Sequence, residues 1–188
     1  MSSKQDHILQ TALELFAVEG MAVPTAKIAS RAGVANGTLF NYFPTKQDLI
    51  DALYLGLKKE MMQLFVAGGA DKASSLKQTS FVIWNNYIRW ALAHPLKHGV
   101  MSLFKTANVL SPGVLAQADE VFKPLHELLR KGIKKGEVLN LDFDYLYQIK
   151  AAQINVSIEH ALARKLKGKV LEAHIAAGFD IYWRGVAG

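Results

Sequence analysis

The sequence predicts an all-α fold in two parts: an N-terminal three-helix domain containing a helix-turn-helix, and a larger C-terminal helical domain. Three observations predict it. Apolar residues recur at three- and four-residue spacing nearly throughout, no stretch alternates apolar and polar over the length of a strand, and glycine or proline stands at most breaks.

The first helix is expected over about Lys4 to Glu19, with Ile8, Ala12, Leu15 and Phe16 on one face and Gly20 as its stop. A short second helix begins at Pro24 or Thr25, where proline suits the first turn and the threonine hydroxyl can satisfy a free amide, and it ends at Gly33. A third covers about Ala35 to Tyr42, closed by Phe43-Pro44-Thr45, because a proline ring disfavours helical geometry in the residue before it. Beyond Thr45 the expected helices lengthen: Lys46 to about Val66, Ser74 to Ala93, His94-Pro95 to about Leu110, and Ser111-Pro112 to Gly136. Two more span Asp142 to about Lys167 and Lys169 to about Arg184. The change from short to long helices places a domain boundary at Lys46, dividing the chain into 1–46 and 47–188.

A hydrophobic content of 51% over 188 residues is enough for one full core or two small domains. Cysteine is absent, which excludes disulfides and thiolate metal sites. Nothing resembling a secretion signal opens the chain and no segment is apolar enough to span a bilayer, so a soluble, cytoplasmic protein without a membrane partner is expected. The net charge of +6 favours polyanionic partners in general, yet Lys4, Lys27, Arg31 and Lys46 against Asp6, Glu14 and Glu19 leave only +1 in residues 1–46. The later basic runs, Arg130-Lys131 with Lys134-Lys135 and Arg164-Lys165 with Lys167 and Lys169, read as solvated helix ends.

Residues 25–42 carry the functional signal. Two helices crossing at the helix-turn-helix angle need a small residue at their contact, a residue tolerant of positive φ in the turn, and apolar anchors on both sides. Ala29 supplies the first, Gly33 the second, and Ile28, Ala32, Val34 and Leu39 the third. An ordinary glycine-capped αα-hairpin would meet part of this pattern; the joint spacing favours DNA binding. On the exposed face of the second helix, Asn36, Gly37, Thr38, Asn41 and Tyr42 are short or planar groups that can approach bases. Thr38 suits a thymine methyl or a hydrogen bond, and Asn36 or Asn41 an adenine edge. Thr25, Lys27 and Lys46 are placed to hold phosphates, setting register rather than specificity.

The run Ile28-Ala29-Ser30-Arg31-Ala32-Gly33-Val34-Ala35-Asn36-Gly37-Thr38-Leu39-Phe40-Asn41-Tyr42-Phe43-Pro44-Thr45-Lys46, preceded by Ala12-Leu13-Glu14-Leu15-Phe16 and Gly20, resembles the N-terminal domain of the TetR (tetracycline repressor) family. The resemblance covers about the first quarter of the chain. It implies a two-fold symmetric all-helical repressor, a ligand-responsive C-terminal core and dimerisation through the last two long helices. Thr25, Lys27, Thr38, Tyr42 and Lys46 match places where the family usually contacts DNA, and Asn36 and Gly37 lie where bases are often approached. Phe40 departs from the pattern, which commonly has tyrosine there, so a phenolic hydroxyl is missing. The turn between Gly20 and Ile28 is also one residue shorter than is typical.

In the C-terminal part, the helix from Asp142 shows two apolar stripes, one with Leu146, Ile149, Val156 and Ala163 and another with Tyr147, Ala151, Ile154, Ile158 and Leu162. A surface helix of a monomer needs one such face. The last helix adds the small residues Ala173, Ala176, Ala177 and Gly178 beside Leu171, Ile175, Ile181 and Tyr182. Two helices from each of two subunits would bury both sets, and a homodimer is expected. For a small-molecule effector, Trp84, Tyr87, Met101, Phe104 and Phe122 supply aromatic and soft apolar surface, and Gln153 is a polar group set into an apolar stripe, where an effector can be its partner. Each of these also reads as ordinary core.

Catalysis has little basis in the sequence, which contains no phosphate loop and no nucleophile elbow. His94 and His98 have i, i+4 spacing, but Pro95 intervenes and no third ligand is evident, so neither a metal nor a cofactor is expected. The expected partners are double-stranded DNA with a palindromic operator, a small-molecule effector and a second copy of the chain. The competing expectations are a dimeric DNA-binding regulator with no small-molecule response, and a helical carrier or enzyme with a vestigial helix-turn-helix.

Overall fold

The computed structural model describes residues 3–70 and 75–188, and within them the regular structure is helical apart from one isolated bridge between Val138 and Ala187. The helices are α1 (Lys4–Glu19), α2 (Thr25–Arg31), α3 (Asn36–Tyr42), α4 (Lys46–Ala67), α5 (Leu76–Ala93), α6 (Pro95–Thr106), α7 (Pro112–Lys134), α8 (Phe143–Ala163) and α9 (Gly168–Val186), with a 3₁₀ turn at Gly20–Ala22. The expected start of the fifth helix at Ser74 lies outside the described residues.

Local chemistry explains the ends. Ser3 caps α1 by accepting from the Asp6 amide at 3.1 Å while Asp6 accepts from the Ser3 amide at 2.9 Å, a reciprocal capping box. Those bonds lower the Asp6 pKa. Thr45 and Asp48 make the same arrangement at the start of α4. Two helices are shorter than their apolar pattern suggests. α6 stops at Thr106 because Asn108 turns left-handed at φ 51°, with the Val109 amide reaching back to the Phe104 carbonyl at 3.3 Å. α8 stops at Ala163, where Lys165 at φ 52° and the Leu166 amide, 3.0 Å from the Ala161 carbonyl, close the turn in the same way.

The chain forms two compact units. The first comprises the chain up to Glu60 together with His94–Val121; the second comprises Met61–Ala93 with Phe122–Gly188. In the first, α1 packs on α6, with Phe16 and Phe104 edge to face at 5.7 Å in a core shared with Ile8, Ile28, Leu39 and Leu49. Polar ties fix α4 there: Gln47 Nε2 donates to the Val109 carbonyl at 2.7 Å, the Ser111 amide donates to Asp51 at 3.3 Å, and Lys97 pairs with Glu60 at 2.7 Å. Lys58 is buried in this unit with its ammonium 5.5 Å from the Tyr54 ring centre. Burial pulls its pKa down to about 8 against the opposing attraction of Asp119.

In the second unit α5, α8 and α9 pack together around Trp84. Its indole N–H donates to the Ile175 carbonyl at 3.1 Å, and its ring stacks on Tyr182 at 5.5 Å and meets the edge of Phe179 at 5.9 Å. Burial pushes the Tyr182 phenol up to about 12. Gly178 makes this junction close, because a Cβ there would sit 3.1 Å from Ser157 Oγ and 3.3 Å from Trp84 Cζ2, and those side chains would have to give by a few tenths of an ångström.

Candidate nucleic-acid interface

The turn between α2 and α3 is built by the backbone of Gly33. At φ 65° its amide donates to the Ser30 carbonyl at 3.1 Å and the Val34 amide donates to the Ala29 carbonyl at 3.0 Å, the paired bonds that end a helix and redirect the chain. Ile28, Ala29, Ala32 and Leu39 are buried and Val34 is half-buried, so the expected anchors hold the two short helices together. Leu39 is the only buried residue of α3.

That packing leaves the rest of α3 outward. Asn36, Gly37 and Asn41 are exposed, Tyr42 is exposed with its ring beside Phe43, and Thr38 is half-buried. Nothing lies within 4 Å of where a Gly37 side chain would begin, so this stretch of backbone is open to close approach. Phe40 is exposed as well, an apolar ring among the polar groups. The face therefore presents amides, a hydroxyl and a phenol, the groups that match base edges in a major groove.

The three residues expected at phosphates are placed differently. Thr25 opens α2 and is half-buried. Lys27 is exposed and paired with Glu19 at 2.7 Å, a surface ion pair of small net worth that a phosphate can displace. Lys46 folds back onto its own unit, donating to the Met21 carbonyl with its ammonium 5.9 Å from the Phe16 ring centre. Its side chain would have to leave that carbonyl to meet a phosphate.

The six residues expected at an effector divide between the units. Met101 and Phe104 are buried in the first. Trp84, Tyr87, Phe122 and Gln153 belong to the second. There, Trp84 is engaged with Ile175 and Tyr182, while Phe122 meets Phe65 edge to face at 6.1 Å and stacks on His126 at 6.3 Å. Tyr87 stacks on Trp90 at 5.8 Å, and burial, with Tyr147 adding to it, raises its pKa well above the ordinary phenol value. Gln153 Oε1 is buried with no hydrogen-bond partner. His126 joins Phe122, Phe143 and Tyr147 in one aromatic cluster, which the sequence reading did not assemble because its members come from two helices with unremarkable spacing. An open groove of about 760 Å³ along α5 and α9, lined by Phe81, Val82 and Phe179 with Lys77, Gln78 and Asp180, contains none of the six.

On α8 and α9 both faces are apolar, although their membership differs from the expected stripes. Leu146, Ile154, Ile158, Ile175, Phe179 and Tyr182 face the unit's own core. Val156 at 65% and Ile181 at 68% exposure, with Tyr145, Leu162, Val170, Ala173 and Ala177, face outward.

Residues 8–53 match the model for the family described as bacterial regulatory proteins, tetR family. The whole chain is similar to a protein from Shewanella sp. PV-4 assigned to the tetR family of transcription regulators, at 30% identity, with 100% of both chains covered and a TM-score of 0.86. It is also similar to the fatty acid metabolism regulator protein of Bacillus subtilis strain 168, at 26% identity over 140 residues, 72% of this chain and 71% of that one. A third relative is the HTH-type transcriptional repressor KstR2 of Rhodococcus jostii strain RHA1, at 29% identity over 80 residues, 40% of this chain and 39% of that protein. The Shewanella and Rhodococcus proteins are named for transcription, and the matched family is one of regulatory proteins, not of enzymes. With the helix-turn-helix formed and the likeness extending from end to end, the chain belongs to the tetR family of bacterial transcription regulators.

Proposed function

We propose that the protein is a homodimeric cytoplasmic repressor that reads a palindromic operator through α3 of each copy and leaves it when an apolar small molecule binds. The observation that carries the reading is the α3 face, polar and outward except for Phe40, fixed to α2 by one buried leucine. Asn36, Thr38 and Asn41 would read base edges; Thr25, Lys27, Tyr42 and Lys46 would hold the backbone, with Gly37 allowing close approach. The outward apolar faces of α8 and α9 support a four-helix interface between copies, because so much aliphatic surface is costly in water. A dyad through that interface would set the two α3 helices in successive major grooves, about 34 Å apart.

The names of two relatives, a fatty acid metabolism regulator and a repressor, support repression of lipid-related genes and an apolar effector. Trp84, Tyr87, Phe122 and Gln153, all of the second unit, are the residues assigned to it. Release requires the effector to prefer one spacing of the two α3 helices, by about 1–3 kcal/mol. α4 would transmit that preference, since it starts at Lys46 beside the helix-turn-helix and ends in the second unit.

The deciding experiment is selection of bound duplexes from a random library. Two inverted half-sites, centred about one helical turn apart, are expected. Single half-sites, or no enrichment at low salt, overturn the reading. In the same assay Lys46→Ala should flatten the salt dependence of binding by about one unit without changing the preferred sequence.

A further inference from the structure

We infer that the effector is an apolar molecule carrying an uncharged hydrogen-bond donor, a hydroxyl or an amide N–H, which Gln153 Oε1 receives. The inference rests on the effector reading above and names the chemistry of that ligand. Gln153 stands on α8 in the second unit, and among the described residues its side-chain oxygen is the one buried side-chain nitrogen or oxygen without a hydrogen-bond partner. A carbonyl oxygen closed off from water and left bare is a standing cost to the fold, and such an atom in a native protein calls for an explanation. A carbonyl can only accept, so the group that relieves it has to donate. A carboxylate or an ester offers only more oxygen lone pairs and would be repelled.

Two side-chain donors of the same unit are already committed. The Trp84 indole donates to Ile175, and His174 Nε2 lies 3.0 Å from the Ser157 carbonyl, one turn along α8 from Gln153. The donor is also uncharged. α5, which packs on α8, carries no carboxylate along its length, the acids of α8, Asp144 and Glu159, are exposed, and on α9 Glu172 is exposed while Asp180 pairs with Arg184. An ammonium would therefore enter an apolar region with nothing to balance it. α8 buries Ile154 and Ile158 beside Gln153 in the chain, and α5, which packs on α8, buries Trp84, Ile88 and Trp90. Tyr87 stays a neutral phenol throughout the physiological range, because its burial opposes ionisation.

The test uses the full-length dimer and two matched probes, 1-decanol and decyl methyl ether, with binding measured by calorimetry and by thermal shift. The ether is the more apolar of the two and carries a methyl group in place of the hydroxyl hydrogen, so it keeps the oxygen acceptor and loses the donor. Wild-type protein is expected to bind the alcohol at least tenfold more tightly than the ether, and Gln153→Met to bring the two within about twofold. Should Gln153→Met fail to fold, Gln153→Glu serves: its carboxylate keeps the acceptor, so it should retain the alcohol and gain decylammonium, which the wild type refuses. Equal affinity of the wild type for alcohol and ether overturns the inference, and so does a preference that survives Gln153→Met; both leave the effector reading standing. If neither probe nor any member of a wider apolar panel stabilises the protein, the effector reading itself falls, and this inference with it.

Discussion

The two units dispose of their polar groups in opposite ways. In the first, the outward face of α3 presents amides, a hydroxyl and a phenol beside the Phe40 ring, while a lysine of α4, Lys58, is turned inside. In the second, the outward faces of α8 and α9 are aliphatic, and among the described residues the buried polar side chains are neutral, Thr79 and Ser157 with Gln153 Oε1 and the Trp84 indole. The contrast separates two kinds of exposure. A polar face left uncovered by a short helix costs nothing in water and is free to meet another polar surface. An aliphatic face left uncovered costs about 25 cal/mol for every Å², so it marks burial still to be completed.

Charging the aliphatic face should therefore have the largest effect. Ala177→Glu places two carboxylates, one from each copy, on the proposed interface, and a buried unpaired charge costs about 3–5 kcal/mol. Sedimentation should find monomers at concentrations where the wild type is paired, while circular dichroism stays helical; a variant that remains dimeric breaks the comparison.

Removing the charge hidden in the first unit should have the next largest effect, and in the opposite direction. Lys58 titrates near 8 when folded against 10.5 as a free side chain, so between those values the unfolded chain holds more protons and stability rises with pH. Below pH 8 the penalty is fully present. Lys58→Met should thus stabilise the protein at pH 7 by up to about 3 kcal/mol in urea melts, with the gain shrinking as pH rises from 8 to 10.5. A gain identical at pH 7 and pH 10 would mean that the ammonium carries no burial cost.

The polar face of α3 should give the smallest and most selective change. Asn36→Ala and Thr38→Ala are expected to cost about 1–3 kcal/mol for a lost bidentate contact, and less for a single bond, on the preferred duplex alone. Equal losses on all duplexes would move these residues from base reading to backbone contact.

The elements that were legible in the sequence are those governed by local chemistry. The α1 limits, the Gly33 turn and the Pro95 and Pro112 starts follow from capping, positive φ and the fixed φ of proline, which need no distant partner. The early ends of α6 and α8 were hidden because Asn108 and Lys165, not glycines, take the left-handed conformation. Lys58 was hidden for another reason: next to Lys59 in a charged stretch it reads as solvated, and only the packing of α4 turns it inward.

The candidate sites divide along the same line. Residues 25–42 lie close in the chain, so spacing alone determined which side chains share the outward face of α3, the face proposed to read DNA. Only tertiary structure decided that Lys46 bonds to Met21, that Gly178 faces inward against Trp84 while Ala177 faces out, that Met101 and Phe104 belong to one unit and Gln153 to the other, and that Gln153 Oε1 lacks a donor. Each of those outcomes depends on which helices from distant parts of the chain come together, and helical periodicity records that a face is apolar but not what covers it.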